Sequence, residues 1–234
     1  KSLKDLIARP FMAWVVSPSG SLVRRPRKGA RVLNDDGVVM ASSLQVQGEV
    51  PCGRSGVRQW RPGSRIAVRQ LNLQHSRAAS CQVNKSFSTL SRGIFLIQEP
   101  WIRGDKILGL GAKNTQIFRG ALCDGTRSCI LTRGVNAINL PQFGTKDLTT
   151  IQVELNIKGT VTTIIVASVY CDIGNNIPSP ELDLLVRHCD NKKLHLLIGG
   201  DINSHHLAWG STDCNPRGRD FAEFLATTSL EIIN

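Results

Sequence analysis

The run Leu194-His195-Leu196-Leu197-Ile198-Gly199-Gly200-Asp201 constrains this chain more than any other stretch. Lys192 and Lys193 precede it and two glycines follow its apolar core, so it reads as a buried strand that feeds a tight turn. Asp201 and Asn203 stand at the strand's end, one residue apart and therefore on one side of an extended chain. His205, His206 and Trp209 follow. A strand that delivers a carboxylate and a carboxamide together to a sheet edge reads as part of an active site. The plainer alternative is an Asx turn, in which both side chains only cap backbone.

Similar punctuation recurs upstream. Ile66–Leu73 alternates as a strand, and Ser76 is placed to cap a helix through about Ser88. Gly93–Gln98 is a second buried strand, ending at Glu99-Pro100-Trp101. Shorter strands are expected at Gln116–Phe118 and Ser128–Thr132, and a hairpin at Leu148–Ile157 and Thr160–Tyr170 about Lys158-Gly159. Ser179-Pro180 opens a helix through about Asp190. A last helix spans about Gly218–Thr227, before a strand at Leu230–Ile233. Hairpins mixed with helical crossovers predict an α/β protein: a four-layer sandwich of two mixed β-sheets flanked by helices. The polar positions Asn72, Glu99, Tyr170 and Asp201/Asn203 all fall at strand ends, where open α/β sheets gather their chemistry.

Before Gly63 the character differs. Pro10 interrupts a short helix or strand over Lys4–Val16, Arg24–Gly29 is a basic, proline-broken loop, and Gly48–Gly63 is rich in glycine, proline and arginine. Residues 1–65 are accordingly expected to be a basic, low-order leader or linker, and 66–234 the globular domain. Residues 1–70 hold thirteen Lys/Arg against four Asp/Glu, a net of +9; the remainder holds sixteen against fourteen, a net of +2. A basic arm suits a polyanion such as nucleic acid, or is simply a solvated tail. Seven scattered cysteines, never in a C-x-x-C pair, fit neither a zinc ribbon nor a disulfide framework. They suit a reducing, intracellular setting, nuclear or cytoplasmic. The longest apolar run, Ile164–Tyr170, is strand-length, so no membrane partner is expected. The chain begins with Lys1, with no signal peptide behind it, and reads as a piece of something longer.

Chemically, Glu99 is a hard oxygen ligand for a divalent cation such as Mg²⁺, which needs one or two carboxylates plus waters and substrate phosphate. Asp201 could orient or deprotonate an attacking water, and Tyr170 could donate to a phosphoryl oxygen. Asn72 and Asn203 could hold water or phosphate without adding charge. Together these suit metal-assisted phosphodiester hydrolysis. Taken one at a time, they are also a capped strand end, a half-buried core phenol and a turn former.

The ordered set resembles a known family. Asn72 in Gln70-Leu71-Asn72-Leu73-Gln74-His75-Ser76-Arg77, then Gln98-Glu99-Pro100-Trp101, Ser168-Val169-Tyr170 and Gly199-Gly200-Asp201-Ile202-Asn203-Ser204-His205-His206 are similar to the motifs of the exonuclease–endonuclease–phosphatase superfamily. Glu-Pro-Trp, His-His-x-x-Trp-Gly-Ser, Arg217-Gly218 and the ending Leu230–Asn234 resemble its non-LTR retrotransposon branch. The resemblance implies DNA nicking that yields a 3′-hydroxyl primer, with a reverse transcriptase domain downstream. It implies Mg²⁺, or Mn²⁺ in its place, bound by Glu99 with Asn72; Tyr170 on the scissile phosphate; Asp201 on the water with Asn203 beside it; and Arg77, His205 and His206 as DNA contacts. The family finishes with a further Asp and a Ser-Asp-His strand end, neither of which occurs before Asn234, and His188 and His195 do not replace them. The expectation is a domain whose last strands are missing and which by itself cleaves little. The alternatives are a non-catalytic remnant that at most binds nucleic acid, and a phosphoesterase of the same fold acting on a small phosphoester.

Overall fold

Two helical crossovers organise the computed structural model, which describes residues 12–16, 44–47, 65–120, 125–157 and 160–233. The strands are β1 (Met12–Val16), β2 (Leu44–Gln47), β3 (Arg65–Asn72), β4 (Gly93–Gln98), β5 (Ile102–Arg103), β6 (Lys106–Ile107), β7 (Thr115–Arg119), β8 (Ser128–Arg133), β9 (Ala137–Asn139), β10 (Leu148–Ile157), β11 (Thr160–Tyr170), β12 (His195–Asp201) and β13 (Glu231–Ile233). The helices are α1 (Arg77–Ser88), α2 (Pro180–Lys192) and α3 (Pro216–Ala226). Parallel neighbours need a long return connection, usually a helix. Here α1 carries the chain from β3 to the parallel β4, and α2 carries it from β11 to the parallel β12. The other sheet pairings are antiparallel, so both sheets are mixed: β13-β1-β12-β11-β10-β9 and β2-β3-β4-β8-β7.

Local sequence accounts for where the helices begin. The Ser76 hydroxyl accepts from the Ala79 amide at 3.2 Å, and the Ser179 hydroxyl accepts from Leu182 ahead of Pro180. Asn215, ahead of Pro216, accepts from the Gly218 amide at 2.7 Å. Lys193 closes α2 in the left-handed conformation, φ 53°.

The strand alternation divides the core into three layers of side chains. Phe95 and Ile97 of β4 pack outward with Val83 and Phe87 of α1. Leu196 and Ile198 of β12, with Ile165 and Val169 of β11, pack outward beneath Leu185, Val186, Phe221 and Leu225 of α2 and α3. Between the sheets lie Ile66, Val68, Ile94, Leu96, Ile130, Ile151, Val153, Ile164, Val166 and Leu197. The order is helix, sheet, sheet, helix, the four-layer arrangement anticipated from the sequence.

Two segments of the leader enter the sheets. β1 pairs antiparallel with β12 (Met12 opposite Gly200) and β2 pairs antiparallel with β3 (Leu44 opposite Val68). The basic loop Arg24–Gly29, the stretch Gly48–Gly63 and the turn Lys158-Gly159 lie outside the described residues. The β5–β6 hairpin and β9 were not legible from the sequence, since two or three residues carry no measurable period. Gly199 and Gly200 do not form the expected turn. They sit inside β12, because a side chain does not fit there: a Cβ on Gly199 would come within 2.5 Å of Leu96 in the facing sheet, and one on Gly200 within 2.4 Å of the Val169 carbonyl.

Along each inner face the residues change from apolar to polar towards one end of the sandwich: Ile66, Val68, Gln70 and Asn72 in β3, and Ile94, Leu96 and Gln98 in β4. β11 runs likewise through Ile164, Val166, Ser168 and Tyr170. The transition is a buried hydrogen-bonded seam. Gln70 donates to Gln98; Gln98 donates to Ser168 Oγ at 2.8 Å; Ser168 Oγ donates to the Ile97 carbonyl at 3.1 Å; and Ser128 Oγ donates to the Ser168 carbonyl at 2.7 Å. Gln98 has no exposed surface, so no water stands ready to replace a lost partner. Gln98→Leu should therefore destabilise the chain by about 2–4 kcal/mol through the orphaned Gln70 and Ser168 groups. The check is a lower urea midpoint at unchanged slope.

Candidate active site

The polar ends of the inner faces converge where both parallel pairs finish. Asn72 comes from β3 and Asp201 from β12, in different sheets, and Asn72 Nδ2 donates to Asp201 Oδ2 at 2.7 Å. Tyr170 lies opposite Asp201 in the β11–β12 register. The Glu99 carboxylate, the Asp201 charge and the Asn203 side chain all act on its hydroxyl. The structure thus brings Asn72, Glu99, Tyr170, Asp201 and Asn203 into one cluster.

Asp201 is 8 % exposed and serves two purposes. Its Oδ1 accepts the Asn203 amide at 3.0 Å, which is the Asx turn, while its Oδ2 reaches across to Asn72. The two readings of this strand end are both true, one for each oxygen. The same-side argument for Asp201 and Asn203 fails, because the strand stops at Asp201 and Asn203 turns into left-handed backbone, φ 48°. Asn203 instead reaches back, donating to the Cys171 carbonyl at 3.0 Å, and so holds the ends of β11 and β12 together.

Glu99 also has left-handed backbone, φ 47°, as do Gln74 (47°) and His75 (55°). Such conformations are strained for residues with a side chain and tend to collect at functional sites. They are held here by hydrogen bonds from the Gln74 amide to Asn72 Oδ1 and from the His75 amide to the Glu99 carbonyl, both 2.8 Å. His75 is a neighbour that sequence reasoning did not single out: its Nδ1 lies 3.0 Å from the Pro100 carbonyl and its Nε2 3.8 Å from Glu99.

Two arginines frame the cluster. Arg127 makes a two-pronged contact with Asp147 at 2.5 and 2.6 Å, bonds Asp172 as well, and lies 4.9 Å over the Tyr170 ring. The Asp147 and Asp172 bonds raise the Arg127 pKa against its partial burial, and Arg127 holds the Asp172 carboxyl below its usual range. Arg217 donates to the carbonyls of Asn203 at 3.3 Å, Ile173 at 3.1 Å and Asp172 at 3.0 Å, tying α3 to the loops after β11 and β12. Arg127 had no sequence signal, because its partners are 20 and 45 residues away.

The remaining candidates fall outside the cluster. The His206 ring caps the turn at Leu207–Trp209, accepting from the Ala208 amide, and packs on Trp209 at 5.0 Å. His205 pairs with Asp213 at 2.9 Å, and its backbone is clamped to α3 through Asn215. A Cβ on Gly218 would strike the His205 carbonyl at 1.8 Å. Arg77 lies 5.5 Å over the Trp101 ring, and both are partly or fully exposed. His188 packs on Phe143 in α2, and His195 is at the opposite end of β12, so neither reaches the cluster. Cys171 is adjacent, but burial pushes its thiol up to about 12, which rules out a thiolate nucleophile at neutral pH. All five described cysteines are free.

The donor set suits a hard cation. Glu99 and Asn72 present oxygen, and Asn72 Oδ1 retains a lone pair beyond its bond from Gln74. Among the described residues no group of three or more His, Cys, Asp or Glu is placed to cage a metal. A Mg²⁺ ion, which keeps waters and binds few protein ligands, fits that arrangement better than zinc.

A family model described as endonuclease-reverse transcriptase matches residues 164–234, from within β11 through β12, the His-His loop, α3 and β13. The probable RNA-directed DNA polymerase from transposon BS of Drosophila melanogaster is 34% identical over 67 residues, 29% of this chain and 7% of that protein. The chain therefore spans only a small part of the length of this curated relative. The endonuclease domain of TRAS1, a telomere-specific non-LTR retrotransposon, shares the fold: TM-score 0.52, 21% identity, with 68% of each chain covered. No described helix is long and apolar enough to cross a membrane.

Tyr170 is the chain's sole tyrosine, so its titration is directly readable. Burial first, then the Glu99 charge and hydrogen bond, raise its pKa above the usual 10. The neutral phenol's contribution to stability is then complete below pH 10 and is lost as pH rises through the folded-state value. Absorbance at about 295 nm should show ionisation above pH 10 in the native chain and an earlier midpoint in Glu99→Gln. An unchanged midpoint in that variant would contradict the influence of Glu99 on Tyr170.

Proposed function

We propose that this chain is the DNA-nicking part of a retroelement protein, hydrolysing a phosphodiester with Mg²⁺ to leave a 3′-hydroxyl that primes reverse transcription. The observation that carries the reading is the Asn72–Asp201 hydrogen bond between the two sheets, with the Glu99 carboxylate acting on the Tyr170 hydroxyl beside it. The likeness of residues 164–234 to the endonuclease–reverse transcriptase family supports it. The transposon polymerase relative supports a reverse transcriptase as working partner.

Glu99 with Asn72 would hold Mg²⁺, which supplies charge neutralisation at the phosphate when bound. Asp201, with one oxygen committed to Asn72 and the other to its own turn, is held rigidly to align an attacking water. Tyr170, kept protonated, donates to a phosphoryl oxygen, and Arg127 lies over its ring and holds it in place. The buried hydrogen-bonded seam of Gln70, Gln98 and Ser168 lies directly beneath and fixes the floor of the site.

The test is nicking of supercoiled plasmid by protein carrying these residues in their continuous reading frame. Relaxation is expected in Mg²⁺ and none in EDTA, with Glu99→Gln and Asp201→Asn each reducing the rate roughly a hundredfold or more. The nicks should be extended by a DNA polymerase without phosphatase treatment. Nicking that persists in EDTA or in both variants would defeat the proposal.

A further inference from the structure

The chain's positive charge is concentrated in the leader, yet one flank of the candidate site is basic in its own right. From Trp101 to Arg119 there are four cations, Arg103, Lys106, Lys113 and Arg119, against the single carboxylate Asp105. Topology brings three of them to the site. The β5–β6 hairpin starts three residues after Glu99, with Ile102 opposite Ile107 and Arg103 opposite Lys106. The Leu108 amide donates to the Trp101 carbonyl at 2.8 Å, fastening the hairpin at its base. Arg119 ends β7 opposite Cys129, which faces Ile97 in β4, so it too lies at the site end; its guanidinium donates to the Asp105 carbonyl at 2.5 Å. Arg103 and Lys106 are exposed, as is Arg77 over Trp101. Lys113 precedes β7 and lies at the far end.

The base of this flank is rigid. Leu110 is fully buried with Ile107 against the α1 core, and Gly109, φ 76°, lets the chain pass so close to α1 that a Cβ there would meet Ser80 at 3.1 Å and Trp101 at 3.3 Å. A firmly seated hairpin that presents two cations at its tip matches a regular row of phosphates. On the other flank, Arg127 and Arg217 are already engaged by Asp147, Asp172 and loop carbonyls.

We propose that the β5–β6 hairpin, with Arg77 on Trp101 and Arg119 behind it, is a docking surface for the phosphate backbone of duplex DNA flanking the cleaved bond. The inference rests on the nuclease reading for its choice of partner. Arg103 and Lys106 each neutralise a phosphate, Trp101 gives the Arg77 guanidinium a fixed plane, and contact is independent of sequence.

The experiment is fluorescence anisotropy of a labelled DNA duplex with the whole chain in EDTA, across a salt series. Arg103→Ala/Lys106→Ala should weaken binding roughly tenfold and flatten the slope of log K against log salt by about 1.8, near 0.9 per phosphate contact. Lys113→Ala/Lys192→Ala removes the same charge at the opposite end and should bind as the wild type does. Arg103→Lys/Lys106→Arg, which keeps the charge, should retain affinity. Equal losses in both alanine pairs, an unaffected hairpin variant, preference for RNA over DNA duplex, or no wild-type affinity would each overturn the proposal. The two readings fail separately: a chain that binds through the hairpin without ever nicking fails the nuclease reading, and one that nicks while the hairpin variant binds normally fails this one.

Discussion

Gln98 joins the two sheets at the level where the core stops being apolar. Its carboxamide accepts from Gln70 in its own sheet and donates to Ser168 in the other, and it is wholly buried. A buried amide must find all its partners inside the protein, so this seam permits one register and one separation of the sheets. Everything at the rim inherits that geometry. Glu99 is the next residue in β4's path, Asn72 lies two beyond Gln70, Tyr170 two beyond Ser168, and Asp201 two beyond Gly199. Gly199 matters for the same reason: the sheets are so close there that a methyl group would collide with Leu96.

The rim is built on strained backbone. Gln74, His75, Glu99 and Asn203 are all left-handed, a conformation disfavoured by about 1–2 kcal/mol per residue when a Cβ is present. The strain persists because each residue is held by a backbone hydrogen bond or a neighbouring side chain. The His75 amide bonds the Glu99 carbonyl, and the Asn203 amide bonds Asp201. These turns bring the chain out of the sheets abruptly, so Glu99 and Asp201 are presented at the edge rather than carried onward into loops. The Asx turn at Asp201 is thus a means of locating the carboxylate that Asn72 reaches across the sandwich.

Charge is distributed to the same end. Arg127 pairs with both Asp147 and Asp172 while lying against the Tyr170 ring, so it offsets part of their charge and fixes the phenol from one side. Arg217 uses its guanidinium on carbonyls, where it acts as a brace between α3 and two loops. The histidine pair does similar mechanical work. His206 caps a turn and His205 anchors the start of α3, so the motif they belong to preserves a loop shape that keeps Trp209 buried and β12's end in place.

Sequence alone determined the elements that rest on local physics. Ser76 and Ser179 cap their helices through their own side chains, whereas the last helix begins two residues earlier than expected, at Pro216 behind the Asn215 cap; the apolar runs of β4, β11 and β12 read as strands from their length and composition. Those strands, with the alternating β3, also placed Asn72, Glu99, Tyr170 and Asp201 at strand ends. Tertiary structure decided what joins them. The pairing of Asn72 with Asp201 spans 129 residues, and the brace of Arg127 on Asp172 spans 45. The glycines of β12 read as a turn because Leu96 of the facing sheet and Val169 of the neighbouring strand, which exclude a side chain, are invisible in the local sequence. The β5–β6 hairpin, β9 and the two leader strands are too short for any periodicity to show; they form because a neighbouring strand or helix supplies the hydrogen bonds and apolar surface that they cannot supply themselves.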